Sequence, residues 1–470
     1  MDEMYGNTSF SSVRDLLDDA ARRGKRYLEI LDDRGVAPSA AAIERLKLFE
    51  EPLPEDSQDP KETLRLLDEA GSPATMAMAG RRFFGFVIGG ALPVTVAANW
   101  LATAWDQNTG LFTATPGTST LEQVALRWLL DVLGLPPSAG GSFITGATMA
   151  NFTALAAARV EVLRQHGWDV EADGLFGAPL VTVFVSEEAH PTLLKALGLL
   201  GMGRNRVVRM PVDGQGRIRA DRLPEIPRSS IVCIQAGNIN TGAFDPAIEI
   251  IPRAQEAGAW VHVDGAFGLW AAASPSHAQL MKGFSEADSW ATDAHKWLNV
   301  PYDSGLAFVR DAEALCRAMA LAASYLPVSN FRDPSQFTPE LSRRARGVEV
   351  WAALHSLGRG GLARMIERTC HLARRFADGL STEGFPILNE VAINQVLVSF
   401  GTPEITNRII SQIQADGTCW CGGTVWQGKT AMRISVSSWA TTEEDVDKSL
   451  KAIIRIARVE ASQIKNVGPS

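Results

Sequence analysis

The chain has 470 residues, 46% hydrophobic and 21% charged, with a formal net charge of -8 and a pI near 5.5. This is ordinary globular composition with room for roughly two or three domains. Acidic and basic residues are interspersed, so there is no electrostatic footprint for nucleic acid or an anionic membrane, and small molecules or further copies of the chain are the expected partners.

Five scattered cysteines (Cys233, Cys316, Cys370, Cys419, Cys421) argue against a disulfide framework and for a reducing cytoplasm. Cys419 and Cys421 flank Trp420, but no histidine follows and no metal site is expected. The acidic start, with Asp2, Glu3 and Asp15, does not read as a signal peptide, and the apolar stretch Ala91 to Trp105 is too short for a membrane span.

In chain order, residues 9 to 34 carry helical spacing (Phe10, Val13, Leu17, Tyr27, Leu31), and a second helix starts after Ser39. A Pro/Glu/Asp-rich linker at 48 to 60 precedes a third helix at 61 to 71, giving a helical arm over 1–78 with too little core to stand alone. Ser119 and Glu122 predict a capping box opening a helix over 120 to 133, stopped by Gly134.

The run Gly140 to Thr148 predicts a short strand, then a small-residue loop (Gly146, Ala147, Thr148) opening a helix from Met149 to Arg164. Small residues at a helix N-terminus let backbone N–H groups approach a phosphate, although alone they equally read as plain helix-start residues. Strands are predicted at 180–185, 206–210, 231–235, 260–263, 289–292 and 305–309, alternating with helices. The expectation is an α/β large domain with a mostly parallel sheet over 79–350. From 351 a long helix (364–380) and strands near Ile393, Thr424 and Arg433 predict a small C-terminal α+β domain over 351–470.

Two residues carry the chemistry. Asp264 ends one apolar strand, in His262-Val263-Asp264-Gly265-Ala266, and Lys296 follows another, in Asp293-Ala294-His295-Lys296-Trp297. Most lysines are solvated charges and most strand-end aspartates form turns. A lysine beside a histidine near one strand, with an acid at the end of another, suits pyridoxal 5'-phosphate: the lysine forms a Schiff base and the carboxylate keeps the pyridine nitrogen protonated.

The small-residue loop at 146–148, His190 in Glu188-Ala189-His190, Asp264, and His295-Lys296, in that order, resemble the group II pyridoxal phosphate-dependent amino acid decarboxylases, the family of the glutamate and aromatic amino acid decarboxylases. Leu341 to Arg346, and Arg433 followed by Glu443, Glu444 and Asp445, match as well, so the resemblance runs from about 80 to 450. It implies the aspartate aminotransferase fold (fold type I), a homodimer with the arm swapped across it, and a carboxy-lyase activity. It further implies that Ala147 and Thr148 hold the cofactor phosphate, with His295 nearby. His190 would stack on the ring, Thr241 and Ala266 would lie beside it, and Arg433 would meet the substrate carboxylate.

Taken singly, His190 also reads as a helix-start residue, Thr241 as a turn former and Arg433 as an ion-pair partner. Phe83, Phe84, Phe86 and Trp105 lean towards an aromatic or apolar substrate, whereas Arg81 and Arg82 leave an acidic one open. Amine-forming relatives use a tyrosine on a mobile loop to protonate the product, but Pro327 to Ser342 contains none; it offers Phe331 and Phe337, with Tyr325 just before it. Oxidative deamination to an aldehyde is therefore an alternative to simple decarboxylation. Transamination or carbon-carbon cleavage is another, and a non-catalytic pyridoxal-binding scaffold is a third, against which the intact Lys296, Asp264 and His190 count.

Overall fold

A computed structural model describes residues 10–321 and 331–466. Its centre is a seven-stranded sheet ordered β1-β7-β6-β5-β4-β2-β3. The strands are β1 (Gly140–Ile144), β2 (Thr182–Ser186), β3 (Val208–Met210), β4 (Ser230–Gln235), β5 (Trp260–Asp264), β6 (Ser289–Asp293) and β7 (Gly305–Val309). Only β7 runs antiparallel to its neighbours, β1 and β6. Strands β4, β5, β6 and β7 are buried along their whole length; β4 and β7 read as nearly continuous apolar runs, whereas β5 and β6 also bury His262, Asp264, Ser289, Thr292 and Asp293.

Trp270, Trp290 and Trp297 are wholly buried around this sheet. Each indole N–H is satisfied: by the Asp293 carbonyl at 2.9 Å, the Phe284 carbonyl at 2.8 Å and the Thr369 hydroxyl at 2.9 Å. Large aromatic area is thereby buried without an orphan donor.

The second sheet, β8-β10-β9, is antiparallel and joins Gln395–Val398, Lys429–Ser435 and Gly422–Trp426. The helix Gly347–Thr382 changes direction at Gly358 (φ 57°). Its first part packs on the helices Pro93–Trp105 and Pro116–Val132, and its later part lies under the small sheet. The arm helix Phe10–Glu29 leads to Val36, whose N–H bonds the Gly417 carbonyl and whose carbonyl receives the Ala77 N–H, both at 2.9 Å. No helix among the described residues is long and apolar enough to cross a membrane.

One local expectation is corrected. Ser119 caps nothing: the helix starts a turn earlier at Pro116, whose fixed φ suits a first helical position, and Thr115 precedes it. Glu122 is buried inside that helix and pairs with buried Arg343 at 2.6 Å. Arg343 also donates to the Thr109 and Phe143 carbonyls, so the pair ties the segment after residue 331 to the end of β1. Ser-x-x-Glu matched the cap pattern, but Pro116 was the stronger start signal.

Candidate active site

The carboxyl ends of β4, β5 and β6 meet the N-terminus of the helix Ala147–Arg164, where open α/β sheets hold their ligands. They enclose a cavity of about 330 Å³ lined by Gly146, Ala147, Thr148, His190, Asp264, Ala266, His295 and Lys296, together with Gln235, Ile239 and Asp293. Eight of the sequence-predicted site residues therefore share one space. Gly305 makes it possible: a Cβ there would stand 2.4 Å from the Gly146 Cα, so only glycine lets the loop cross the start of β7. At Gly89 a Cβ would lie 2.3 Å from the Lys296 carbonyl oxygen, which lets the 85–90 loop close against the lysine's backbone.

The Lys296 Nζ lies 3.0 Å from Asp293 Oδ2, and its side chain is 17% exposed. Asp264 is buried, and burial raises its carboxyl pKa; the charges of His190 and Lys296 and hydrogen bonds from Asn151 and the Ala266 N–H pull the other way. The Asn151 bond ends a directed chain. Ser289 accepts from the Trp260 indole at 2.9 Å and contacts His262 Nδ1 at 2.9 Å. His262 Nε2 meets Asn151 Oδ1 at 2.8 Å, and Asn151 Nδ2 donates to Asp264 Oδ2 at 3.3 Å. Burial depresses the His262 pKa to about 3, so this imidazole is neutral and fixes which way Asn151 points.

His190 caps the helix Pro191–Leu199, its Nδ1 accepting from the Thr192 N–H at 3.3 Å and meeting the Thr192 hydroxyl at 2.6 Å. Burial lowers its pKa, with Asp264 opposing, so the neutral ring carries its proton on Nε2. His295 is also neutral by burial; its Nδ1 accepts from the Ser304 N–H at 3.0 Å, and the Tyr302 ring stacks on it at 4.3 Å.

Three predicted residues lie off the cavity wall. The Thr241 hydroxyl donates to the Gln215 carbonyl at 2.7 Å. Arg433, on β10, donates to the carbonyl of the wall residue Ile239 at 3.3 Å, and its charge reaches His190. Phe86 is 54% exposed with φ 52°, its ring 5.3 Å from Trp420. Phe83 and Phe84 are wholly buried core residues. Arg82 is spent on Asp445 and on the Thr418 and Asp32 carbonyls, and Arg81 on Asp32. Tyr325 and residues 327–330 of the loop lie outside the described residues.

A sequence profile of the pyridoxal-dependent decarboxylase conserved domain matches residues 54–402. The chain belongs to that family. Curated relatives include an aromatic-L-amino-acid decarboxylase of Bacillus atrophaeus, 28% identical over 433 residues covering 87% of this chain and 88% of the relative. An L-2,4-diaminobutyrate decarboxylase of Rhizobium meliloti is 27% identical, covering 97% and 88%. An acidic amino acid decarboxylase of Mus musculus is 28% identical, covering 69% of this chain and 61% of the relative. Among solved structures, the fold is shared with Oryza sativa TDC with PLP and tryptamine (TM-score 0.89, 22% identity, 96% and 99% coverage).

The family's reaction is pyridoxal phosphate-dependent decarboxylation of an amino acid, a carboxy-lyase reaction. The cavity fits that cofactor: a primary amine for its aldehyde, a buried carboxylate for its ring nitrogen, and a helix N-terminus behind glycine for its phosphate. Sequence reasoning missed Asp293, Asn151 and Tyr302. Asn151 left one signal, a polar amide amid the alanines of an otherwise buried helix.

Proposed function

We propose that the chain decarboxylates an L-amino acid with an aromatic or apolar side chain through a Schiff base on Lys296. The observation that carries this is that the Lys296 amine, the Asp264 carboxylate, His190 and the first turn of the Ala147–Arg164 helix all open into one cavity. Bound pyridoxal phosphate supplies an aldehyde for the lysine and an electron sink for the charge left when carbon dioxide departs. Asp264, held by Asn151 and the Ala266 N–H, keeps a negative charge against the ring nitrogen. Gly146, Ala147 and Thr148 would hold the phosphate with His295 beside it, and Ala266 and Thr241 would support the ring region.

Neutral His190 would stack on the ring and is placed to exchange protons there. Arg433, whose pKa burial lowers to about 10, stays cationic at neutral pH and meets the substrate carboxylate. Phe86 contacts the substrate side chain. With Arg81 and Arg82 already paired, that segment lends no uncommitted cation to an acidic side chain, which favours the aromatic or apolar class.

The same reading divides the chain at 78 and 350 and makes it a cytoplasmic homodimer. Support comes from the exposed Trp100, Leu101 and Trp105 on one helix and from five free cysteines, four of them buried. Decarboxylation with oxidative deamination is the second reading, favoured by the absence of tyrosine from 327–342. The deciding experiment incubates the pyridoxal phosphate-loaded protein with a panel of L-amino acids and follows carbon dioxide, amine, aldehyde and peroxide together. Carbon dioxide with amine is expected; aldehyde with peroxide selects the second reading, and no carbon dioxide from any substrate overturns both.

A further inference from the structure

Asp293 is buried at the end of β6 and has no part in the reading so far. Its backbone is clamped on both sides: the N–H donates to the Ala266 carbonyl and the carbonyl accepts from the Trp270 indole, each at 2.9 Å. Its side chain is therefore aimed, and the two oxygens take different partners. Oδ1 accepts from the Ala147 N–H at 2.6 Å, capping the helix that carries the small-residue loop, and lies 3.5 Å from His295 Nε2. Oδ2 lies 3.0 Å from the Lys296 Nζ. One carboxylate thus joins the amine to the anion cradle. Its field also favours the charged forms of His190 and His295 against burial.

A helix cap alone does not require a charge, because an asparagine oxygen accepts an N–H as well. What the charge adds is a hold on the lysine's proton. An ammonium is not a nucleophile: Nζ must give up a proton before it bonds to an aldehyde carbon, and the aldehyde oxygen then leaves as water. Resting on the assignment of Lys296 as the Schiff-base lysine, we propose that Asp293 is the group that holds the Lys296 proton. It keeps the amine as a paired ammonium, accepts one proton when Nζ attacks, and returns it to the departing oxygen. Overall, ammonium and aldehyde become protonated imine and water, with no other reactant.

The test compares wild type with Asp293→Asn and Asp293→Ala. In cofactor-free protein at fixed neutral pH, the acylation rate of Lys296 by acetic anhydride is read by peptide mapping. Asp293→Asn keeps the cap and loses the charge, so Lys296 should acylate roughly tenfold faster, the size expected for removing an opposite charge within about 4 Å. An unchanged or slower rate overturns the proposal and leaves Asp293 a cap. Asp293→Ala loses both functions and should acylate as fast while melting at a lower temperature; slow acylation in both variants again overturns it. Borohydride reduction of the loaded wild type, followed by mapping, separately asks whether the cofactor sits on Lys296. If it does not, the underlying assignment fails, while the acylation series still reports on the Asp293–Lys296 pair.

Discussion

The floor of the cavity and its rim are built on opposite plans. On the floor, Asp264, Asp293, Asn151 and His262 are buried on strand ends and a helix, and each polar side chain has named partners reaching back into the sheet. Outside the cavity wall, in the region we assign as its rim, Phe86 is half exposed with a left-handed backbone, Tyr302 is half exposed, and Arg433 donates to the Ile239 carbonyl at 3.3 Å. On the proposed reading, charge changes during the reaction on the floor, so fixed dipoles there would stabilise it without reorganising. On the same reading, Phe86 at the rim meets the side chain that varies between substrates, and Arg433 meets the carboxylate that they share. That matches relatives with one reaction and several substrates, named for aromatic, acidic and diaminobutyrate decarboxylation.

Floor substitutions should then break the reaction and rim substitutions should redirect it. The largest effect belongs to Lys296→Ala, which should abolish the visible absorbance of lysine-bound cofactor and lower turnover by on the order of a thousandfold or more. An unchanged spectrum would sink the assignment of that lysine. Asp264→Asn should keep the cofactor and its lysine bond yet lower kcat by about a hundredfold, the scale for removing one preorganised electrostatic partner; kcat within a few-fold of wild type would move the electron-sink role elsewhere. Arg433→Lys, at the rim, should raise KM by about tenfold with kcat little changed, since lysine cannot reproduce the two-pronged bond to a carboxylate. A fall in kcat at constant KM would put Arg433 on the floor's side of the division.

The same division governs what the sequence discloses. Strands β4 to β7 were legible because strands buried along their whole length leave short runs rich in apolar residues, and Lys296, Asp264 and His190 because their order and sequence contexts match the family's. Asn151 and Asp293 were not, because their roles arise from contacts with Asp264 and Ala147, each more than a hundred residues away. An aspartate inside a buried strand, one helical turn's spacing before the lysine, was the available signal for Asp293. Phe83 and Phe84 misled in the other direction: an aromatic cluster beside a site is as readily its packing as its wall.

The smallest expected effect is also the one that decides the product. Among the described residues, Tyr302 is the tyrosine the fold brings to the site, its ring stacked on His295. Partial burial of the ring, aided by the Asp293 charge, raises its phenol, so it remains protonated, and able to donate, throughout the neutral range. After carbon dioxide leaves, the substrate carbon either takes a proton to give amine or loses electrons to oxygen. The second course consumes oxygen and water and releases aldehyde, ammonia and peroxide. If Tyr302 supplies the proton, Tyr302→Phe should keep carbon dioxide release within a few-fold but raise the aldehyde-to-amine ratio in aerated buffer about threefold, a small part of the range for a general acid because water also protonates. An unchanged ratio would assign the proton to His190 or to the segment around Tyr325, and the rim would then govern substrate choice without governing product.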